Sequence, residues 1–398
     1  MKPAPKLAIH GGAPVRREML PYARQSLDED DVNAVLEVLR ADWLTTGPQV
    51  AAFEQDFAAF VGTREAVAVS SGTAALHTAM HAAGIGPGDE VIVPAMTFLA
   101  TANAVVFQGG TPVFADVHPD TLLIDPDRAR EKITPRTRAI VTVDYAGQPC
   151  DYDVLKDLAQ KHGLLLIDDA CHALGAEYKG KKLGGLADLT VFSFHPAKHI
   201  TTGEGGMIVT DSPEFADRMR RFRNHGITAD LHQRARQGAW YYEMADLGYN
   251  YRLTDFQCAL GRSQLRKLPG WLERRREIAG AYDAAFAGMP AVRPPAVRPD
   301  VYHAYHLYVI RLDRKRLSVS RDDIFLALRA EGIGVNVHYL PVPMHPFYRE
   351  TFDTRPDQCP EAFAAANDIL SLPIFPRMAE KDVEEVIFAC RKVITAFS

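Results

Sequence analysis

The sequence predicts an α/β protein built on a large, mainly parallel sheet, with a smaller α+β domain towards its C-terminal end. Three observations carry this. Between Ala66 and Val209, short apolar runs alternate with helical patterns, the signature of βα units around a sheet covered on both faces. With 398 residues, of which 47% are hydrophobic and 24% charged, the chain is long enough for one large core plus a second, smaller one. Beyond the proline-rich stretch "PAVRPPAVRP" the regular alternation gives way to a mixed order of strand-like and helical segments.

Taken in order, the strand-like "AVAVS" runs into the helical "TAALHTAMHAAG", and "EVIVP" into "FLATANAVVFQGG". Then come "PVFADV", "RAIVTVD", the helical "VLKDLAQKHG" and the strand-like "LLLID". In "YRLTDFQCALGRSQLRKL" the T-D-F-Q stretch, Thr254 to Gln257, fits a capping box, so a helix is expected to begin there. Pro269-Gly270 is read as its end, followed by the charged helical segment "WLERRREIAGAYDAAF". After the prolines come the strand-like "HLYVIRL", a helix opening near Ser320, the strand-like "IGVNVHYL", and two terminal helical patterns. The expected division is a large domain over residues 1–268, opened by an N-terminal segment 1–25, and a small α+β domain over 269–398.

Composition excludes several functions. A net charge of −5 provides no field to attract nucleic acid or an anionic membrane, so an anionic ligand must be held by local groups. Five scattered cysteines, none spaced C-x-x-C, predict reduced thiols in a cytoplasmic setting and no zinc ribbon. No segment approaches the ~20 apolar residues of a membrane span, and the N-terminus lacks the apolar centre of a signal peptide.

Chemistry concentrates in three stretches. In "TVFSFHPAKHITTGEGGMIVT" a single lysine, Lys198, lies between two strand-like runs, in a turn closed by a Gly-Glu-Gly-Gly cluster. Taken alone it is a loop lysine in water; buried, its pKa falls and the free amine becomes a nucleophile able to form a Schiff base. In "LLLIDDACHALG" the apolar run stops at Asp168 and Asp169, and ligands in parallel α/β sheets sit beyond the carboxyl ends of strands. One of the two carboxylates is expected to be structural, Asp168, and the other, Asp169, to face the site. In "AVAVSSGTAALHTAM" a strand ends in Ser70-Ser71-Gly72-Thr73 and enters a helix directly. Small residues there let backbone amides close on a phosphate, although the same pattern also makes a common βα turn. Ser193, five residues before Lys198, offers another hydroxyl. A lysine, an acid and a phosphate cradle together are what pyridoxal phosphate requires, its ring nitrogen needing a carboxylate to stay protonated.

Competing motifs are weaker. No G-x-G-x-x-G follows a strand, which argues against a dinucleotide enzyme such as a nucleotide-sugar dehydrogenase or epimerase. "GAEYKGKK" imitates a phosphate loop until Lys182 replaces the magnesium-binding Ser or Thr, and no helical pattern follows it. His303, His306, His338 and His345 lack a carboxylate or cysteine at matched spacing, so no metal site is expected.

Together the strand-end SSGT, the strand-end DDACHA and FSFHPAKHITTGEGG resemble the fold-type I, aspartate aminotransferase-like pyridoxal phosphate enzymes, and specifically the DegT/DnrJ/EryC1/StrS family of sugar aminotransferases. The resemblance covers nearly the whole chain and includes "LTTGPQV", "GYNYRLTDFQCALG" and "VNVHYLPV". The run "YYEMADLGYNYRLTDFQCALGRSQL" is similar to enzymes that aminate C4 of a UDP-4-keto-6-deoxy-N-acetyl-hexosamine on the way to pseudaminic acid. The resemblance implies that Lys198 carries the cofactor and shuttles the proton, and that Asp169 pairs with the pyridine nitrogen. Ser71, Gly72, Thr73 and Ser193 would hold the cofactor phosphate, and Asn250 would reach that of the neighbouring subunit, which implies a homodimer. Phe98 would lie against the ring face, or else in the core, and His172 near the ring. Tyr22, Thr46, His225 and His338 are assigned to the sugar-nucleotide pocket. A dehydrating branch of the family carries histidine at the lysine position; here that position is lysine and histidine is its neighbour, His199.

The expected activity is therefore transfer of an amino group from glutamate to a nucleotide-linked keto-sugar. Other acceptors, ketonic at C3 or carried on dTDP or GDP, and a non-catalytic cofactor-binding regulator are the alternatives.

Overall fold

A computed structural model describes residues 6–228, 238 and 240–398. The first five residues of the expected N-terminal segment lie outside the described residues. Seven strands form the main sheet: β1 (Glu65–Val69), β2 (Glu90–Pro94), β3 (Thr111–Ala115), β4 (Thr137–Val143), β5 (Leu165–Asp169), β8 (Leu189–Ser193) and β9 (Gly206–Thr210). The hairpin β6 (Glu177–Tyr178) and β7 (Lys181–Lys182) lies between β5 and β8 in the chain, and it accounts for "GAEYKGKK". The order across the sheet is β1-β9-β8-β5-β4-β2-β3. Every pairing from β8 to β3 is parallel, whereas β9 runs antiparallel to both of its neighbours.

This topology positions the site. The parallel strands β4, β5 and β8 end on one edge, and β9 returns from that edge, so the turn holding Lys198 is fixed to the sheet at both ends. Sheet strands such as Val67–Val69 and Val91–Val93 are buried on both faces, which is why their sequences read as continuous apolar runs rather than alternating ones. Helix α3 (Gly72–Ala82) follows β1 after two residues, and α4 (Leu99–Phe107) follows β2.

The interior has two cores whose membership does not follow the expected boundary at 268/269. Helix α8 (Asp255–Phe286) runs unbroken through Pro269. Pro269 and Gly270 are exposed, while Leu265, Leu268 and Leu272 hold the buried face and carry the helix through the proline. The same helix then contributes Ile278, Tyr282 and Phe286 to the second core. Val342, Tyr348 and Ala362 pack back into the first core, and Leu7 and Leu20 join the second.

In the second core β10 (Val292–Arg293), β12 (Tyr308–Leu312) and β13 (Ile369–Leu372) form an antiparallel sheet. The strand expected in "IGVNVHYL" is absent; Ile333 and Asn336 make only isolated bridges, to Leu20 and Ser371. Residues 336–339 turn instead to line a cavity. Helix formation at Ser320 is as expected, its side chain accepting from Asp323 N as the N-cap of α9 (Arg321–Ala330). At the end of α9 the fully buried Glu331 pairs with Lys392 at 2.8 Å and accepts from the backbone amides of Ala8 and Val15, anchoring the N-terminal segment. Removing one partner from such a pair leaves an unpaired buried charge, a cost of about 3–5 kcal/mol. No helix among the described residues is long and apolar enough to cross a membrane.

Candidate active site

A cavity of about 530 Å³ opens where the parallel strands end. Lys198 projects into it from the β8–β9 turn. That turn is shaped by its own backbone: Phe194 N donates to Gly205 O, Thr202 N to Phe194 O, and Lys198 N to His195 O. The side chain of Gln257, the capping-box residue at the start of α8, donates to Glu204 O at 2.8 Å and fixes the outer end of the turn. The Lys198 side chain is half-buried and lines the cavity. Burial lowers its pKa, opposed by Cys171 and Asp169. Because burial also holds the Cys171 thiol protonated, the Asp169 carboxylate is the effective counter-charge.

Asp169 ends β5, and strand alternation turns it and Asp168 to opposite faces. Its Oδ2 accepts from Thr101 Oγ1 at 2.7 Å and its Oδ1 from Cys171 N at 3.2 Å. Thr101 is in turn 2.8 Å from the Thr97 hydroxyl. Asp168 lies in a closed polar cluster, accepting from Thr142 at 3.0 Å. Burial, then the neighbouring Asp144, pushes its carboxyl well above the usual range, while burial pushes Asp144 up to about 7. Only Asp169 of the two lines the cavity.

Ser71 is the N-cap of α3, its hydroxyl accepting from Ala74 N at 3.0 Å. The backbone amides of the first helical turn, at Gly72 and Thr73, have no intrahelical acceptor and point out of the helix end. A Cβ on Gly72 would stand 2.8 Å from Ser193 Cβ and one on Gly206 would stand 2.5 Å from Ser71 O. Both glycines are therefore needed for β1, β9 and the Ser193 hydroxyl to close around this point. Phe98, 54% exposed, forms part of the wall, its ring 5.9 Å from that of Tyr339. His172 is buried with Nε2 3.0 Å from the Tyr339 hydroxyl, and burial, with Lys198 nearby, holds it neutral.

Tyr22 and His338 also line the cavity, with ring centres 5.4 Å apart. His338 Nδ1 is 2.8 Å from Ser371 Oγ, and burial lowers its pKa to about 4. The cavity thus brings together Lys198, Ser71, Gly72, Thr73, Phe98, Asp169, His172, Ser193, Tyr22 and His338.

Three expected residues lie elsewhere in this chain. Thr46, at positive φ, precedes the N-cap of α2 (Pro48–Val61) and donates to Thr45 O. His225 is exposed, its backbone amide bonded to Tyr249 O. Asn250 is exposed and bridges Asn224. None of the three lines the cavity of this chain. Conversely, Thr97, Cys171, Glu204, His306, Asn336 and Tyr339 line the cavity without having been singled out as part of its walls. Their local signals were thin: Tyr339 was visible only as the neighbour of His338, and His306 only as one of several histidines.

The arrangement fits pyridoxal phosphate. A cradle that a single Cβ would fill, backed by helix amides and the Ser193 hydroxyl, suits a phosphate; a hydrogen-bonded carboxylate suits a ring nitrogen; a lysine with lowered pKa suits a carbonyl.

Comparison with known proteins agrees. Residues 25–391 match the DegT/DnrJ/EryC1/StrS aminotransferase family. The chain is 44% identical over 381 residues to the spore coat polysaccharide biosynthesis protein SpsC of Bacillus subtilis, covering 95% of this chain and 98% of that one. Among solved structures, the putative sugar aminotransferase Spr1654 from Streptococcus pneumoniae, in its PMP form, superposes with a TM-score of 0.89 at 32% identity, covering 95% of this chain and 99% of that chain. Helicobacter pylori PseC, an aminotransferase involved in the biosynthesis of pseudoaminic acid, gives a TM-score of 0.88 at 34% identity over 96% of this chain and 100% of that chain.

Proposed function

Because the chain belongs to the DegT/DnrJ/EryC1/StrS aminotransferase family and is a pyridoxal-phosphate-dependent sugar aminotransferase, we propose that it transfers an amino group from glutamate to C4 of a UDP-linked 4-keto-6-deoxy-N-acetyl-hexosamine. The observation that carries this reading is the cavity itself, which brings Lys198, Asp169 and the Gly72–Ser193 cradle together with Tyr22 and His338. The choice of sugar is supported by the segment 241–265 and by the 34% identity to PseC.

When bound, the cofactor condenses with amines and draws the electrons of the adjacent C–H bond into its ring. The protein's part is proton handling and orientation. Lys198 Nζ, freed by the incoming donor, takes the proton from the α-carbon of glutamate. In the reverse half it delivers a proton to the carbon that carried the sugar ketone. Burial, by lowering its pKa, favours the unprotonated amine. Asp169, fixed by Thr101 and the Cys171 amide, is the counter-ion for a protonated ring nitrogen. Ser71, Gly72, Thr73 and Ser193 would hold the cofactor phosphate, and Phe98 and His172, lining the same cavity, would enclose its ring. Tyr22 and His338 contact the sugar.

We place Asn250, Thr46 and His225 at the site of a second copy, in a homodimer. The segment beside Asn250 supports this, since Trp240 is 83%, Met244 66% and Leu247 73% exposed, apolar surface of the kind that marks interfaces. Asn250→Ala is expected to weaken cofactor affinity about tenfold in a dimer of unchanged mass; unaltered affinity would remove the cross-subunit contact. Five free cysteines, four of them buried, support a reducing, cytoplasmic location.

The test of the main reading is spectroscopic. The purified enzyme should show the visible band of lysine-bound cofactor, and glutamate should bleach it in favour of a near-ultraviolet band. UDP-4-keto-sugar should then restore the visible band faster than dTDP- or GDP-linked or 3-keto analogues. Failure of glutamate to bleach the band would refute the donor, and preference for another sugar would refute the acceptor.

A further inference from the structure

Arg275, in the middle of α8, is buried to 1% exposure and has no carboxylate at ion-pair distance among the described residues. Burial alone lowers its pKa, to about 10. An isolated buried cation is among the costlier features a fold can carry, so its hydrogen bonds identify what it holds in place. A single nitrogen, Nη1, donates to the carbonyls of Tyr305 at 3.1 Å, His306 at 3.4 Å and Ile374 at 3.0 Å. His306 lines the cavity. Ile374 continues the chain of contacts, its amide donating to the carbonyl of Tyr22 at 3.1 Å. One guanidinium therefore joins two separate segments: 305–306, whose His306 lines the cavity, and 374, whose amide holds the backbone of Tyr22, which also lines it. On its other side Arg275 borders a small void shared with Lys198, His199 and Gln264, so these segments are referenced to the lysine.

The carbonyls at 305, 306 and 374 belong to irregular backbone between strands, where no sheet ladder satisfies them. Neighbouring side chains of α8 hold the same loop: Tyr282 donates to Pro373 O and Arg274 to Met378 O. Neither of these carries a charge into the interior at the cavity. Arg275 does, and a rigid, planar donor that stays charged is the side chain best suited to hold several carbonyls in fixed relation.

We propose that Arg275 is a positioning residue for the acceptor half of the site, holding His306 and, through Ile374, Tyr22 in register with Lys198, so that the nucleotide sugar is bound with its ketone at the lysine. This rests on the sugar-aminotransferase reading above. It makes Arg275 a determinant of sugar binding that touches neither substrate nor cofactor.

The experiment compares Arg275→Met and Arg275→Gln with the wild-type holoenzyme in the two half-reactions. Bleaching of the visible band by glutamate reads the donor half; KM and kcat for the UDP-4-keto-sugar read the acceptor half. The expected result is a rise of about 30-fold in KM for the sugar, with kcat and the glutamate rate within about threefold of wild type. Arg275→Lys, which keeps charge and donors but not the planar fork, should fall between. If one neutral variant fails to fold, the other decides by the same criterion. A KM unchanged in either folded variant, or donor and acceptor rates falling together, would overturn the proposal, the latter marking Arg275 as a general stabiliser. A wild-type enzyme that glutamate does not bleach would instead refute the proposed function and leave Arg275 to be judged on whichever amine and sugar do react.

Discussion

Replacing Lys198 with alanine should lower turnover about ten-thousand-fold and leave the fold intact. The two halves of this expectation come from different features of the same residue. Lys198 Nζ makes no ion pair among the described residues and lines the cavity, so its loss leaves no charged partner unpaired. The turn that carries it is held by backbone bonds at Phe194, Gly205 and Thr202 and by Gln257, none of which needs the lysine side chain. The thermal midpoint should thus move by no more than a surface substitution moves it, within about 0.5 kcal/mol of stability. Activity depends on the amine, a basic nitrogen at the cavity whose pKa burial lowers. Lys198→Arg sharpens the argument: it keeps the positive charge, but a guanidinium does not give up its proton. It should be as inactive as alanine. Turnover of either variant near the wild-type rate would sink the proposed role, whatever the stability.

The parts of this structure that were legible in the sequence are local. The strand ends at Ser71 and Asp169, the capping box at Thr254 and the helix start at Ser320 each depend on a few consecutive residues, and each sits where its pattern places it. What was not legible depends on distant partners. Pro269 reads as a helix end, yet packing of Leu265, Leu268 and Leu272 holds the helix through it. "IGVNVHYL" has strand composition, but it bridges the free edge of Ile369–Leu372 only at Asn336–Ser371 and Leu20 only at Ile333, and its later residues line the cavity instead. Thr101 is an ordinary helical threonine until β5 brings Asp169 to within 2.7 Å of it. Arg275 looks like one more charge in "LERRRE"; only the tertiary fold shows that it, and not Arg274 or Arg276, points inward. Thr46, His225 and Asn250 mark a further limit, since a single chain does not bring them to its own cavity.

Asp169→Ala should lower turnover about a thousandfold, less than loss of the lysine, because it removes an electrostatic support rather than the group that moves the proton. The structural cost is contained. Asp169 is 5% exposed, and its removal strands the Thr101 hydroxyl and the Cys171 amide, but the hydroxyl still has Thr97 at 2.8 Å and the cavity gives the amide access to water. Asp169→Asn is the more exacting variant, since it nearly preserves size and can still accept from one of the two donors. If the residue acted through shape or hydrogen bonding alone, asparagine would retain much of the activity. If it acts as the counter-ion of a protonated ring nitrogen, asparagine should be almost as impaired as alanine, and the visible band should shift as that nitrogen loses its proton. Thr101→Val separates position from charge: it keeps the carboxylate but frees Oδ2, and about a tenfold loss is expected. The order of activities, wild type above Thr101→Val, far above Asp169→Asn and Asp169→Ala together, follows only if charge dominates. An asparagine variant level with the valine variant would mean that the hydrogen-bond geometry built by α4 and β5, and not the negative charge, is what the site requires.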